Sequence, residues 1–285
     1  YLDQHEDIFF SPVKEPFYFV ADFGLDDLEE YQRLFKTAHS QVAIGEGSTG
    51  YLYDPEAARR ISQYNPGAKI VVLLRYPPEA AYSLWLYMRR VGTEKLDFEV
   101  AMEQCINRER DIKSLNRQIG WASNYLYLQR VAYSKQIKAY LDNFPRQNIK
   151  VLLSEEFFRD LEGGVNNICS FLGVSPLSDF DKGAQNKGGL PNSQLFNYLP
   201  RLFSWLKPIV PYQKRNQMRL LLRKLNSRHG GNTGSTKKPK SWPSSLLRLT
   251  EIEIKELSKL GLDMTSWSAK LEDDYRRLNE NSSGS

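Results

Sequence analysis

Three charged groups occupy positions from which they could act on a bound anion and on an acceptor molecule. The pair Lys14-Glu15 and the single residues Glu46 and Arg75 each come directly or shortly after a short apolar segment. Arginine offers a rigid fork of donors that suits phosphate, and a carboxylate beside a lysine can take a proton from a hydroxyl or an amine. These residue types therefore predict phosphate binding at Arg75 and general-base chemistry at Glu15.

The residues alone leave simpler interpretations open. Most arginines at strand ends form ordinary salt bridges, and Glu15 next to Lys14 is compatible with a surface ion pair. Ser83 lies about two helical turns beyond Arg75 and can offer a hydroxyl to the same anion. The prediction at Arg75 therefore depends on the elements that position it.

Four apolar segments predict strands, over residues 7–10, 42–46, 70–74 and 149–153. The third is continuously apolar, which suits a parallel strand that is buried on both faces. Helical spacing and helix-start signals predict helices over 25–38, 54–64, 77–90, 98–115, 121–144, 165–172, 192–226 and 246–260, and the aromatic segment 17–20 is expected to be extended.

This alternation predicts an α/β fold, a parallel sheet with helices on both faces and a helical C-terminal part. Ligands of such sheets bind outside the carboxyl ends of the strands, where the charged residues lie. We expect a single domain over residues 1–270 and a disordered tail over 271–285.

The composition is that of an ordinary globular chain, with 285 residues, of which 41% are hydrophobic and 26% charged. The two cysteines exclude a disulfide scaffold, and no metal-ligand spacing surrounds them. No apolar run predicts a transmembrane helix. The sequence contains neither GxxxxGK[ST] nor GxGxxG, and residues 230–238, which are rich in glycine and lysine, follow a basic helix and are interpreted as a linker.

The segment from Lys182 to Thr250 contains fourteen lysines and arginines and no acidic residue, although the net charge of the whole chain is only +5. Such a segment favours an anionic partner. An alternative function is therefore a non-catalytic module that binds a polyanion or a membrane surface. A solvated basic face above an apolar stripe explains the same pattern.

The order of these motifs resembles the sulfotransferase family that uses 3′-phosphoadenosine 5′-phosphosulfate, in the branch that includes heparan-sulfate sulfotransferases and many bacterial relatives. The likeness is carried by residues 1–19, with SPVKEPFYF, 45–61, with GEGSTGYLYDP, 74–102, with LRYPPEAAYS, and 149–174, with IKVLLSEEFF and SFLGV. Residues 249–267 are similar to the family's closing helix.

The resemblance implies a P-loop-NTPase-like fold and a role for each site residue. Arg75 and Ser83 match the pair that binds the 3′-phosphate of the nucleotide, and Glu15 matches the catalytic base. The remaining expected site residues are Lys14, Phe17, Glu46 and Ser48 on the acceptor side, and Lys187, Gly188 and Gly189 over the nucleotide. Positioning and charge stabilisation would carry most of the catalysis.

The resemblance also sets expectations about the acceptor and the rest of the protein. The family's first strand and its Lys-x-Gly-Thr-Thr loop would precede Tyr1, so we interpret the chain as part of a longer protein. Gly47 and Phe17 stand where heparan-type members have Lys and His, which argues against a glycosaminoglycan acceptor. We expect a hydroxyl or amine of a small molecule or carbohydrate, no nucleic-acid partner, and a cytoplasmic location in preference to the Golgi lumen.

Overall fold

The computed structural model describes residues 1–20, 24–90, 93–111, 122–183, 190–191, 227–228 and 238–283. The chain divides into two compact units. The first consists of Tyr1–Leu74, Gln136–Gly188 and Leu195–Asn226, and the second consists of Arg75–Lys135, Gly189–Gln194 and Ser227–Ser285. The single domain expected over 1–270 stays a prediction.

Parallel strand pairs form the sheet structure of the first unit. Strand β1 (Ile8–Phe10) pairs with β2 (Ala43–Gly45), and β3 (Ile70–Leu74) pairs with β4 (Ile149–Leu153). All four predicted strands and their parallel direction are confirmed. In the described part of the chain, however, they form two separate two-stranded sheets rather than one sheet.

Strand β3 differs from the prediction in its burial. Val72 and Leu74 are buried, whereas Val71 and Leu73 on the opposite face are 39% and 43% exposed. Because successive side chains of a strand point to opposite faces, one face of β3 is packed and the other meets solvent. The continuous apolar run therefore predicted the strand correctly but was wrong about burial on both faces.

The α-helices of the described residues, from either unit, are mostly shorter than the sequence predicts. In chain order they are α1 (Leu28–Arg33), α2 (Gly50–Tyr53), α3 (Ala57–Tyr64), α4 (Pro77–Arg90), α5 (Phe98–Glu103), α6 (Cys105–Arg110), α7 (Tyr127–Arg130), α8 (Tyr133–Leu141), α9 (Ser154–Arg159), α10 (Leu161–Leu172), α11 (Ser244–Lys259) and α12 (Thr265–Ser283). The short antiparallel pair β5 (Leu190–Pro191) and β6 (Ser227–Arg228) belongs to the second unit.

Two predicted long helices are broken in the structure, and a third predicted helix is shortened. The helix expected over 98–115 is divided at Gln104 into α5 and α6, and residues 112–115 lie outside the described range. The helix expected over 121–144 is divided into a 3-10 turn at Ala122–Tyr125 and the helices α7 and α8. One reason is visible at the turn, where the backbone oxygen of Tyr125 accepts a hydrogen bond from Arg108 at 3.3 Å. The helix expected over 25–38 is shortened to α1. The residues after it form tighter turns, in which, for example, Phe35 N donates a hydrogen bond to Gln32 O at 3.1 Å.

Aromatic side chains dominate the core of the first unit. Phe19, Tyr31, Tyr140 and Phe144 are buried together with aliphatic residues that flank α1 or lie in α3 and β4. Aromatic rings bury large apolar areas and pack edge to face, as the Phe19 and Tyr31 rings do at 5.3 Å. Val13 and Tyr18, on either side of Glu15 in the sequence, pack against this core.

Helices α11 and α12 contribute buried residues to the second unit, including Leu257 and Trp267. The tail predicted to be disordered from residue 271 is instead helical through Ser283. Leu271 and Asp274 on α12 are buried, and the carboxylate of Asp274 accepts a hydrogen bond from the Tyr76 hydroxyl at 2.9 Å. The polar composition of the tail concealed this inward face. No helix in the described ranges has the length and apolar character needed to cross a membrane.

Candidate active site

The segment around Glu15 has an unusual backbone. Glu15 and Phe17 have φ angles of +57° and +53°, in the left-handed region that residues with side chains rarely adopt. Such conformations cost about 1–3 kcal/mol each and persist only where the surrounding structure enforces them. The segment expected to be extended over residues 17–20 is therefore a constrained turn.

Residues of the loop after β2 hold this turn. The backbone N–H of Phe17 donates to Ser48 Oγ at 3.1 Å. Glu15 Oε2 accepts from the backbone N–H of Thr49 at 3.0 Å and from its hydroxyl at 3.2 Å. Two donors on one oxygen fix the direction of the Glu15 carboxylate.

A glycine completes the turn. Gly24 has a φ of +90°, and a Cβ atom placed on it would lie 2.5 Å from Phe17 Cβ and 2.5 Å from the backbone oxygen of Pro16. The same Pro16 oxygen accepts a hydrogen bond from Leu25 N at 3.0 Å. Only glycine fits this close approach of two backbone segments.

Glu46 is the centre of a network of hydroxyl groups. Its Oε2 accepts from Ser48 Oγ at 2.8 Å, and its Oε1 accepts from the Tyr51 hydroxyl at 2.5 Å. Burial raises the pKa of Glu46, the hydroxyl donors Tyr51 and Ser48 oppose this, and the charge of Glu15 raises it further. Burial and the charge of Glu46 also raise the pKa of Tyr51 and Tyr31, so both phenols stay protonated and act as donors.

The structure thus brings together Glu15, Phe17, Glu46 and Ser48, which the sequence predicts as site residues. It gives them different surroundings. Lys14 is exposed, Glu15 is partly buried, and Phe17 is buried with 9% of its surface accessible. Glu46 and Ser48 support the turn from within, through the hydrogen bonds described above.

The predicted phosphate residues belong to the second unit. Arg75 directly follows β3, and α4 begins two residues later with Pro77 and Pro78, a favourable start because proline fits the first helical turn. The Arg75 side chain is 48% exposed, and its guanidinium lies 3.6 Å from Glu79 Oε2. Ser83 is an exposed residue of α4.

Glu79 gathers two further cations beside Arg75. Its Oε1 lies 3.1 Å from Lys238 Nζ and 3.0 Å from Lys270 Nζ. Burial disfavours the Glu79 carboxylate, but hydrogen bonds from Lys270 and Lys238 outweigh it and lower the pKa of Glu79. The Glu79 carboxylate is therefore ionised at neutral pH.

Sequence reasoning missed several residues of both regions. Thr49 and the hydrogen bond from the Tyr51 hydroxyl to Glu46 were not predicted, although both residues stand in the quoted GSTGY motif beside Ser48. Lys238 and Lys270 are 163 and 195 positions from Arg75, and nothing local in the sequence connects them to it. The predicted nucleotide cover, Lys187, Gly188 and Gly189, lies outside the described residues.

Comparisons with known proteins agree with this architecture. Residues 57–185 match the family model described as "Sulfotransferase domain". The chain is 29% identical to a sulfotransferase of known structure from Alicyclobacillus acidocaldarius, with a TM-score of 0.58 over 76% of this chain and 87% of that one. The predicted α/β, P-loop-like fold class is confirmed.

Two curated proteins are also similar. Carbohydrate sulfotransferase 15 of Homo sapiens is 22% identical over 246 residues, which cover 68% of this chain and 44% of that protein. Membrane-associated sulfotransferase kil1 of Dictyostelium discoideum is 26% identical over 118 residues, which cover 39% and 25%. The chain thus spans less than half the length of either relative.

These matches show that the chain is similar to sulfotransferases in sequence and in fold. The range matched by the family model includes Arg75 and Ser83. Glu15 and Glu46 lie upstream of it, so their roles depend on the geometry of the turn.

Proposed function

We propose that this protein transfers a sulfuryl group from 3′-phosphoadenosine 5′-phosphosulfate to a hydroxyl or amine of an acceptor, with Glu15 as the general base. The family match supports sulfuryl transfer in general. The observation that carries the catalytic assignment is the left-handed backbone of Glu15, held by two Thr49 donors beside the partly buried Glu46. Strained, over-determined positions of this kind are concentrated at active sites.

The chemistry asked of Glu15 is simple. The donor supplies an activated sulfuryl group whose bond to the phosphate oxygen is broken while the new bond to the acceptor oxygen or nitrogen forms. The acceptor atom loses its proton to the Glu15 carboxylate, which later releases it to water. Thr49 holds the carboxylate in place, and positioning of this kind lowers the barrier without covalent participation of the protein.

Arg75 and Ser83 are proposed to bind the 3′-phosphate of the donor. The residues present fit such a group, because Arg75 is half exposed and two lysines lie on the carboxylate that it faces. Arginine can contact two phosphate oxygens at once, and a serine hydroxyl can donate to a third.

A carbohydrate is the acceptor class that we favour. The similarity to a protein named as a carbohydrate sulfotransferase supports this choice. Near the turn, the Tyr18 ring stacks on Tyr31 at 4.4 Å with an angle of 15° between the planes, and Tyr64 is 44% exposed. Aromatic faces of this kind suit the apolar face of a sugar ring.

The structure does not test two of the predictions made from the sequence. The alternative function, binding of a polyanion or membrane surface, rests on residues 182–250, most of which lie outside the described part of the chain. A cytoplasmic location also stays a prediction.

The decisive experiment replaces the proposed base. Glu15→Gln should lower kcat for sulfuryl transfer by about 100-fold or more, the scale of a lost general base, and leave the affinity for adenosine 3′,5′-bisphosphate unchanged. The measurements are turnover with labelled donor and a panel of sugar and phenolic acceptors, and calorimetric titration. Glu29→Gln, an exposed glutamate paired with Arg33 in the same unit, is the matched control. Normal turnover by Glu15→Gln would show that the base is assigned wrongly.

A further inference from the structure

Three cations surround one carboxylate in the second unit. Arg75, Lys238 and Lys270 all lie within 3.6 Å of an oxygen of Glu79. With Glu79 ionised, this group carries a net charge of +2. Elsewhere in the same unit, exposed glutamates such as Glu251 and Glu256 each pair with one lysine.

A single carboxylate is neutralised by a single cation, so the additional cations repel one another and are unfavourable for folding unless something else compensates them. A phosphate monoester carries a charge of about −1.5 to −2 at neutral pH, which matches the excess. The charges therefore favour an anionic ligand over a purely structural role for the cluster.

Both lysines are held in place by aromatic rings. Lys238 Nζ lies 5.1 Å from the centre of the Trp242 ring, and Lys270 Nζ lies 4.6 Å from the centre of the Tyr76 ring. The Tyr76 hydroxyl is in turn bound to Asp274, one turn after Lys270 on α12. Cation–π contacts orient an ammonium group and still allow it to bind an anion.

The cations are also accessible to a ligand. The side chains of Arg75, Lys238 and Lys270 are 48%, 55% and 33% exposed, whereas Glu79 is only 19% exposed. The carboxylate that gathers the cations is thus the most buried member, and an anion can approach the cations from solvent.

We propose that Lys238 and Lys270 belong to the phosphate site of Arg75, so that three cations gathered by Glu79 bind one phosphate dianion. This inference rests on the proposed function, in which Arg75 binds the 3′-phosphate of the nucleotide. It adds two residues from the C-terminal part of the chain as specificity-determining residues that distinguish a 3′-phosphorylated donor from one without this phosphate.

The test compares two nucleotides by calorimetric titration at constant salt: adenosine 3′,5′-bisphosphate and adenosine 5′-monophosphate, which lacks the 3′-phosphate. Lys270→Met and Lys238→Met should each weaken binding of the bisphosphate about three- to tenfold, since each loses one charge-assisted hydrogen bond at a partly exposed site. Binding of the monophosphate should change by less than about twofold.

Two variants separate charge from packing. Lys270→Arg keeps the charge and should retain most of the affinity for the bisphosphate. Lys259→Met removes a lysine paired with Glu256 on α11 and should leave both nucleotides unaffected. Thermal unfolding of each variant establishes that it is folded.

The outcomes distinguish this inference from the proposed function. If the wild-type chain binds the bisphosphate and the lysine variants bind it equally well, the lysine assignment is overturned and the proposed function stands. Equal losses for both nucleotides also overturn it, because the lysines would then act elsewhere than on the 3′-phosphate. If the wild-type chain binds neither nucleotide, both proposals fail together.

Discussion

Two glutamates, one in each unit, have opposite surroundings. Glu46 is partly buried and accepts hydrogen bonds from hydroxyl donors, and its burial raises its pKa. Glu79 is placed among cations, and hydrogen bonds from Lys270 and Lys238 lower its pKa against the effect of burial. A glutamate therefore accepts hydrogen bonds from neutral donors that support a turn in the first unit, and a glutamate pairs with several cations in the second.

Under the proposed function, this contrast separates two tasks that sulfuryl transfer requires. The first unit would orient the Glu15 carboxylate for proton removal, and the second would present cations to the anionic donor. Variants of the first unit should therefore change turnover, and variants of the second should change donor affinity. The following predictions test this division.

The largest effect is expected at the strand end. Arg75→Ala should weaken binding of adenosine 3′,5′-bisphosphate at least about 100-fold, since a bidentate contact to phosphate contains two charge-assisted hydrogen bonds of about 1.5–3 kcal/mol each. Titration calorimetry measures the loss. Arg59→Ala, which removes an exposed arginine paired with Glu56 in α3, is the control. An affinity within threefold of the wild type would contradict the assignment of Arg75.

A smaller effect is expected where the turn is supported. Ser48→Ala removes the oxygen that accepts from Phe17 N and donates to Glu46, and should lower kcat about tenfold because Glu15 is positioned less well. The KM for the donor should not change. Steady-state kinetics in both substrates, with Ser62→Ala in α3 as control, would separate positioning from binding. A rise in donor KM with normal kcat would contradict the division between the units.

The smallest effects concern the pH dependence of stability, and the two glutamates should give opposite signs. A raised pKa in the folded state means that Glu46 disfavours folding once it ionises, so its contribution worsens as pH rises above the ordinary value of 4.5. A lowered pKa means that Glu79 stabilises the fold above 4.5 and that this contribution is lost as pH falls through its folded-state pKa.

Chemical unfolding of Glu46→Gln and Glu79→Gln between pH 3 and 8, roughly the range in which carboxylates titrate, measures this difference. In the wild type, the ionisation of Glu46 should lower the free energy of unfolding as the pH rises above about 4.5, and Glu46→Gln should abolish this decrease. The variant should also be less stable by about 1–3 kcal/mol at every pH because its hydrogen bonds are altered. Glu79→Gln should instead abolish an increase in the free energy of unfolding that the wild type shows as Glu79 ionises with rising pH. Parallel pH profiles for the two variants would show that the contrast between the glutamates has no energetic consequence.

The sequence predicted the parts of this protein that depend on local pattern. The apolar runs located β3 and β4 to the residue, and the glycine at position 173 ends α10 with a φ of +86°, as the sequence predicted. The helix predicted over 54–64 begins at Ala57 instead, although the Asp54 carboxylate accepts hydrogen bonds from Glu56 N and Ala57 N just before it.

What could not be predicted depends on contacts between distant residues. The left-handed backbone of Glu15 is imposed by a loop more than thirty positions away, at Ser48 and Thr49. The cluster around Glu79 requires Lys238 and Lys270 from the C-terminal region. Periodicity and motifs describe neighbours along the chain, so they identified Glu15 and Arg75 as candidates but not the groups that hold them.

The uncovered face of β3 has a practical consequence for handling the protein. Val71 and Leu73 present an apolar surface on a strand, and such surfaces promote self-association at high concentration. Concentrated samples should therefore self-associate through this face, and detergent or the substitution Leu73→Thr should delay the onset of light scattering.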